Sequence, residues 1–291
     1  MTGFYDILIS PFAEFSFMRH ALAACLALAV GCGPVGVLLV LRRMSLSGDA
    51  LSHAILPGAA AGFLLYGLSL SAMTIGGFLA GLGVTLLSGA LTRATPLKED
   101  ASLAALYAIA LSLGVLLISM RGSSVDLMHV LFGSILAVDD PSLLLMASVA
   151  SVTVLSLAVI YRPLAVECFD PGFLRATGGH GLAAHLVFMA LVALNLVGGF
   201  RSLGTLMSVG LLILPATAAR FWASEVWSQA LAATLMALVS GYVGLLLSYY
   251  REWPSGPAIV LTAGTFYILS LGLGPRQGLL TLRRPKRHLA R

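Results

Sequence analysis

Between Asp49 and Arg93 the chain carries no Asp, Glu, Lys or Arg. That interval holds two apolar runs of about 20 residues, the length an α-helix needs to cross the roughly 30 Å hydrocarbon layer of a bilayer. The pattern recurs along the chain: runs near 21–41, 50–68, 71–92, 101–120, 142–161, 182–200, 203–221, 229–250 and 258–274 each predict a spanning helix. Of 291 residues 59% are hydrophobic and only 10% charged, where a soluble domain carries about 25% charged residues. An ordinary soluble domain is excluded. The expected fold is all-α, a polytopic membrane protein of about eight or nine transmembrane helices forming one domain over 1–291.

One apolar piece, MHVLFGSILA (128–137), is too short to cross. Asp126 precedes it and Asp139-Asp140-Pro141 follow it, so it predicts a short re-entrant helix covered by other protein or a water-filled cavity. The charges are consistent with that map. If 128–137 does not cross and the C-terminus is inside, thirteen of the 17 Lys/Arg fall inside and only Arg19, Arg121, Arg201 and Arg251 outside, as the positive-inside rule favours. The basic tail within 275–291 (Arg283, Arg284, Lys286, Arg287, Arg291) then marks the cytoplasmic side rather than a nucleic-acid surface. The N-terminal segment, 1–20, lacks the basic start of a cleavable signal peptide. Cys25, Cys32 and Cys168 are scattered and odd in number, implying no disulfide framework.

The internal loop 162–181 (RPLAVECFDPGFLRATGGHG) carries Asp170 as an N-cap, Pro171 at the first helical position, Phe173 and Leu174 behind it, and Gly178-Gly179 where a helix would stop. It predicts a short helix on the cytoplasmic face, either resting on lipid headgroups or docking a partner. There is no GxxxxGK[ST]; the two lysines, Lys98 and Lys286, do not follow glycine, and no histidine begins HExxH. The chain therefore has no P-loop and no metalloprotease signature of that kind, and any ATPase is another polypeptide.

Asp49 and His53 stand four apart, so on a helix they share one face. A carboxylate and an imidazole placed this way can reach one divalent cation, since both bind zinc and oxygen ligands also suit manganese. Two ligands do not close a site. The competing reading makes Asp49 the cap of a helix starting at Ala50, with His53 merely packed. Ionisable groups within spanning segments are costly, however, and usually face a transport path.

The run LRRMSLSGDALSHAILPGAAAGFLL (41–65) resembles the signature of the ABC-3 family of metal permeases, the membrane subunits of bacterial zinc, manganese and iron importers. VDLMHVLFGSILAV (125–138), FDPGFLRATG (169–178), GTLMSVGLLILPATAARFWA (204–223) and PSGPAIVLTAGTFYILS (254–270) agree with it in family order. The resemblance implies a multi-pass protein of the bacterial inner membrane and a homodimer of permeases. It also implies cytoplasmic ATPase subunits and an extracytoplasmic metal-binding protein. It makes 166–181 the coupling helix, with Asp170, Pro171, Phe173 and Gly178 as ATPase contacts, and makes Asp49 and His53 metal contacts on the path.

His129 is a weaker candidate ligand. His185 and Asn195, ten apart, lie on different helix faces and form no obvious pair. Tyr107 stands where some family members carry histidine. Glu99-Asp100 predict a helix N-terminal charge pair. Pro215 inside LLILPATAA predicts a helix break on the translocation path. No permanent cofactor and no enzymatic activity are expected. The cargo expected is zinc, from its place in the Irving–Williams order and from the wording of 125–138, with manganese or iron as the alternative. A proton-coupled secondary transporter fits less well, because such folds repeat their interrupted helices in two halves and no second GDALSH-like element exists. A scaffold without transport would leave the Asp49/His53 pair accidental.

Overall fold

The computed structural model describes residues 8–67, 69–96, 99–120, 135–169, 181–276 and 278–282. Among these the chain is helical, with no strand. The helices are α1 (Ser10–Glu14), α2 (Ser16–Leu41), α3 (Ser45–Ala54), α4 (Leu56–Tyr66), α5 (Leu70–Ala94), α6 (Glu99–Met120), α7 (Asp140–Phe169), α8 (Gly181–Ala219), α9 (Val226–Arg251), α10 (Ser255–Leu273) and α11 (Leu279–Leu282), with one 3₁₀ turn at Ile135–Ala137. Seven are long and apolar enough to cross a bilayer: α2, α5, α6, α7, the first half of α8, α9 and α10. The other two expected spans are also helical, one as the broken pair α3–α4 and one as the second half of α8.

An apolar medium requires every backbone group to find a partner inside the protein, which only a helix supplies locally. Several buried hydroxyls obey the same rule. Thr85, Thr153 and Thr262 donate to the carbonyls of Gly81, Val149 and Ala258 four residues earlier, at 2.7–2.8 Å. Helix starts follow their caps: Ser69 accepts from Ala72 N–H at the head of α5, and Asp139 Oδ1 accepts from Ser142 N–H at 3.1 Å ahead of α7.

α2 lies at the centre, packed against α7, α8 and α9, with Met18, Cys25, Cys32 and Leu39 fully buried along it. The outer faces of α5, α6, α7 and α9 expose Leu79, Leu116, Leu155 and Leu231; so much uncovered apolar surface suits lipid rather than water.

Contacts at opposite helix ends fix the directions. His20 meets Asp140 where α2 and α7 begin, and Arg42 meets Glu167 where both end, so these helices run parallel. Ser47, His53 and Pro57 face Asp100, Tyr107 and Gly114 in turn, so α3–α4 runs parallel to α6. Between α4 and α5, Gly58 faces Gly76 and Gly62 faces Ala72, an antiparallel crossing so close that a Cβ on Gly58 or Gly76 would strike the other's carbonyl oxygen. α9 opposes α2, since Cys25 faces Gly241 while Gly33 faces Thr234. The chain between α6 and α7 therefore starts and finishes at one end of the bundle, as a re-entrant segment must. The part of that segment that is described, Ile135–Ala137, sits inside against α2, α8 and α10, with Ile135 buried.

Several boundaries depart from the sequence expectation. α2 begins at Ser16 instead of residue 21. α7 runs on through Pro163 to Phe169, so residues 162–169 prolong the span rather than opening a loop; the rest of the expected coupling helix, with Asp170, Pro171, Phe173 and Gly178, lies outside the described residues, as does His129. Pro215 does not break its helix. It is buried inside α8, where the one hydrogen bond it removes is tolerated among neighbouring helices. The reversal occurs at Gly204, with φ +73° and ψ 166°, a conformation open to glycine and strained for other residues. Residues 199 and 208 would stand about 13 Å apart along a straight helix, yet a Cβ on Gly199 would run into the Ser208 side chain. The two halves of α8 thus fold back on each other.

Candidate metal centre

The central element is α3. α2 ends in a tight turn: Arg43 N–H donates to Val40 O at 3.1 Å and Met44 N–H to Leu39 O at 3.0 Å, with Arg43 left-handed at φ +60°. This hydrogen-bond pair is that of a Schellman ending, and buried Met44 and Leu39 are the apolar residues such a turn brings together. α3 starts immediately afterwards, at Ser45 with Met44 as its cap residue. Asp49 is consequently in mid-helix and caps nothing. The capping account of Asp49, which needs a helix starting at Ala50, does not hold.

Asp49 Oδ1 stands 3.9 Å from His53 Nε2. That is too long for a hydrogen bond, but a cation between them with bonds of about 2.0–2.2 Å can span it. The Asp49 side chain is 59% exposed and His53 25%, so one ligand opens outward while the other is half-enclosed. His53 Nδ1 is buried and has no hydrogen-bond partner. Its ring lies beside Tyr107 of α6, centroids 5.9 Å apart. Ser52 donates its hydroxyl to the Asp49 carbonyl at 2.7 Å.

The helix stops one residue beyond His53. Pro57, in the first turn of α4, has no N–H to give the His53 carbonyl, so the α3 ladder cannot continue through it. Among the described residues no group of three or more His, Cys, Asp or Glu gathers to hold a metal. The pair offers one oxygen and one nitrogen to an ion, leaving its other positions for groups from elsewhere.

The remaining polar candidates fall into other roles. Asn195 is buried and donates to Thr153 Oγ1 and Leu191 O, both at 2.8 Å, a structural role apart from His185. Asp100 lies in the first turn of α6, 3.4 Å from the Ser47 hydroxyl, as its helix-start reading anticipates. Sequence reasoning overlooked one constellation. Arg42, at the end of α2, puts Nη2 3.0 Å from Glu167 Oε2 and Nη1 2.8 Å from His185 Nδ1, with its guanidinium carbon 5.1 Å from the centre of the Phe188 ring. The signal was faint: Arg42 reads as one more basic residue flanking a span, and its partners are over 120 residues away.

A model of the ABC 3 transport family matches residues 14–274. The manganese import system permease protein ScaB of Streptococcus parasanguinis is 34% identical over 269 residues, covering 92% of this chain and 95% of that relative. The chelated iron transport system membrane protein YfeD of Yersinia pestis is 29% identical over 271 residues, 93% of this chain and 90% of its own. Among solved structures, PsaBC from Streptococcus pneumoniae in complex with Fab superposes with a TM-score of 0.84 at 32% identity, over 97% of this chain and 99% of that one. Fold, sequence and length agree throughout: the chain belongs to the ABC 3 transport family, as a multi-span translocation subunit of the bacterial cell membrane and not an enzyme.

Proposed function

We propose that this chain is the permease of an ATP-driven importer of a divalent transition metal, with manganese as its cargo. The observation that carries the reading is the Asp49–His53 pair, which stands in mid-helix with no capping duty, 3.9 Å apart. A carboxylate and an imidazole without a thiolate are ligands suited to manganese and ferrous iron. Cys25 and Cys32 are buried within α2, and relatives matched along nearly their whole length are named for manganese and iron. The preference for zinc drawn from affinity order gives way here: a carrier must release its ion, so the tightest-binding metal is not thereby its cargo. Ferrous iron is the second reading, favoured by the iron-named relative.

The two-ligand pair needs completion. A second copy of the chain supplies it in this reading, bringing another Asp49 and His53 to the path. The cytoplasmic ATPase docks on the segment between α7 and α8, through Asp170, Pro171, Phe173 and Gly178, and an extracytoplasmic binding protein delivers the ion at the opposite end.

The test is manganese uptake by the complete transporter carrying Asp49→Asn, at matched membrane abundance. Asp and Asn have similar helix propensity, so folding should be unaffected. What is lost is the charge that balances a dication in a low-dielectric passage. Uptake should fall about tenfold or more, as for loss of metal-site groups elsewhere; near-normal uptake would remove Asp49 from the path.

A further inference from the structure

Arg42 is set apart from the other arginines among the described side chains. Arg19, Arg43, Arg162, Arg220, Arg251 and Arg276 are all exposed, whereas the Arg42 side chain is 7% exposed and its partner Glu167 17%. Removing a guanidinium and a carboxylate from water is costly, and a well-packed apolar pair would generally hold the same helices at least as firmly. Stability alone does not explain the arrangement.

Its position does. Glu167 lies in the last turn of α7 and His185 in the second turn of α8, so the two residues flank the segment 170–180 on either side. Arg42 joins both. A guanidinium only donates, so His185 Nδ1 accepts and its ring is neutral in this contact, while the cation's face covers the buried Phe188 ring. On its other side Arg42 is followed by the hydrogen-bonded turn at Arg43–Met44, and then directly by α3. Two residues separate this cluster from the helix that carries Asp49 and His53.

We propose that Arg42 is a positioning residue that couples the ATPase-facing segment to the cargo helix: a displacement of the ends of α7 and α8 is carried through the Arg42 guanidinium and the stiff turn into α3. The proposal rests on the metal-importer reading above. The brace has the features that transmission requires, namely a guanidinium ion-paired with Glu167 at the end of α7 and hydrogen-bonded to His185 near the start of α8, and a short, closed connection to the cargo pair.

The experiment uses the complete transporter in vesicles, with ATP hydrolysis and manganese uptake measured on the same preparation. The informative variant is the double substitution Arg42→Met with Glu167→Met, which replaces the pair by apolar side chains and leaves no charge stranded. It should assemble and hydrolyse ATP near the wild-type rate while manganese moved per ATP falls at least about fivefold, the lower end of ordinary coupling between sites. Arg42→Lys, which keeps the charge but loses the planar fork, should fall between. An unchanged ratio in the assembled double variant overturns the proposal. So does a parallel fall of assembly, hydrolysis and uptake, which would mean support of the fold alone. A wild-type complex that hydrolyses ATP yet moves no divalent metal refutes the importer reading, and the brace with it.

Discussion

His53 presents two nitrogens to two different environments. Nε2 faces Asp49 across 3.9 Å, while Nδ1 is buried without a hydrogen-bond partner, and the ring as a whole lies beside Tyr107. Only one nitrogen is therefore placed to share an ion with the carboxylate. The chemistry of that atom should govern which metal passes. His53→Cys replaces an imidazole by a softer thiolate, which favours zinc, so the zinc share of total uptake should rise and the manganese share fall. Accumulated metal measured element by element checks this. An unaltered manganese preference at full uptake would show that residue 53 contributes no ligand. The pairing of Asp49 with His53 was legible in the sequence because i,i+4 spacing is local. Which nitrogen faces the carboxylate was not, since that depends on how α6 packs against α3.

At the level of elements, apolar runs marked each spanning helix but misplaced the ends. A hydropathy run registers what matches hydrocarbon, and helices continue past it wherever backbone hydrogen bonds are still satisfied. α3 starts at Ser45, five residues before its apolar run, in a polar turn that no apolar pattern signals. α7 passes through Pro163 because losing a single ladder bond does not stop a helix packed on α2 and α8. The reversal in α8 falls at Gly204 rather than at Pro215 because a positive φ turns the chain, while a proline in a supported helix only omits a donor. Gly204→Ala should cost about 1–3 kcal/mol, the penalty of a backbone conformation at positive φ and extended ψ that is essentially confined to glycine, seen as a lower unfolding midpoint of the detergent-solubilised permease; an unchanged midpoint would mean that the conformation is not needed. The Arg42–Glu167 pair argues the opposite kind of dependence. Arg42→Met alone leaves Glu167 in a buried setting without its cation and should destabilise by about 3–5 kcal/mol, while adding Glu167→Met should recover most of it. Equal stability of the single and double variants would contradict the pairing.

For the whole molecule, direction is the property that matters to a transporter. Among the described residues α2 and α7 run parallel with four helical passes between their starts, a course that with the broken pair α3–α4 and the two halves of α8 makes nine helical passes and leads us to expect the two ends of the chain on opposite sides. Among the described residues Arg42, Arg43, Arg162, Arg220 and Arg276 lie at one end of the bundle and Arg19 and Arg251 at the other, so the former end is expected to be cytoplasmic. A reporter at the C-terminus should read as cytoplasmic and one near residue 3 as external. Both on one side would show that the 121–139 stretch crosses or that one span does not. In that orientation Asp49 and His53 stand about 6 and 12 Å along α3 from its expected cytoplasmic start, by the rise of a helix, and the Arg42 cluster stands at that start, on the side of the proposed ATPase contact.

The proposed activity is the ATP-driven movement of manganese through this molecule. The most direct measurement is elemental analysis of vesicles containing the complete transporter, supplied with its binding protein and an equimolar mixture of manganese, ferrous iron and zinc, with and without ATP. Manganese should accumulate in an ATP-dependent manner ahead of the other two. Preferential accumulation of zinc, or no ATP-dependent accumulation of any of the three, would rule out a manganese importer.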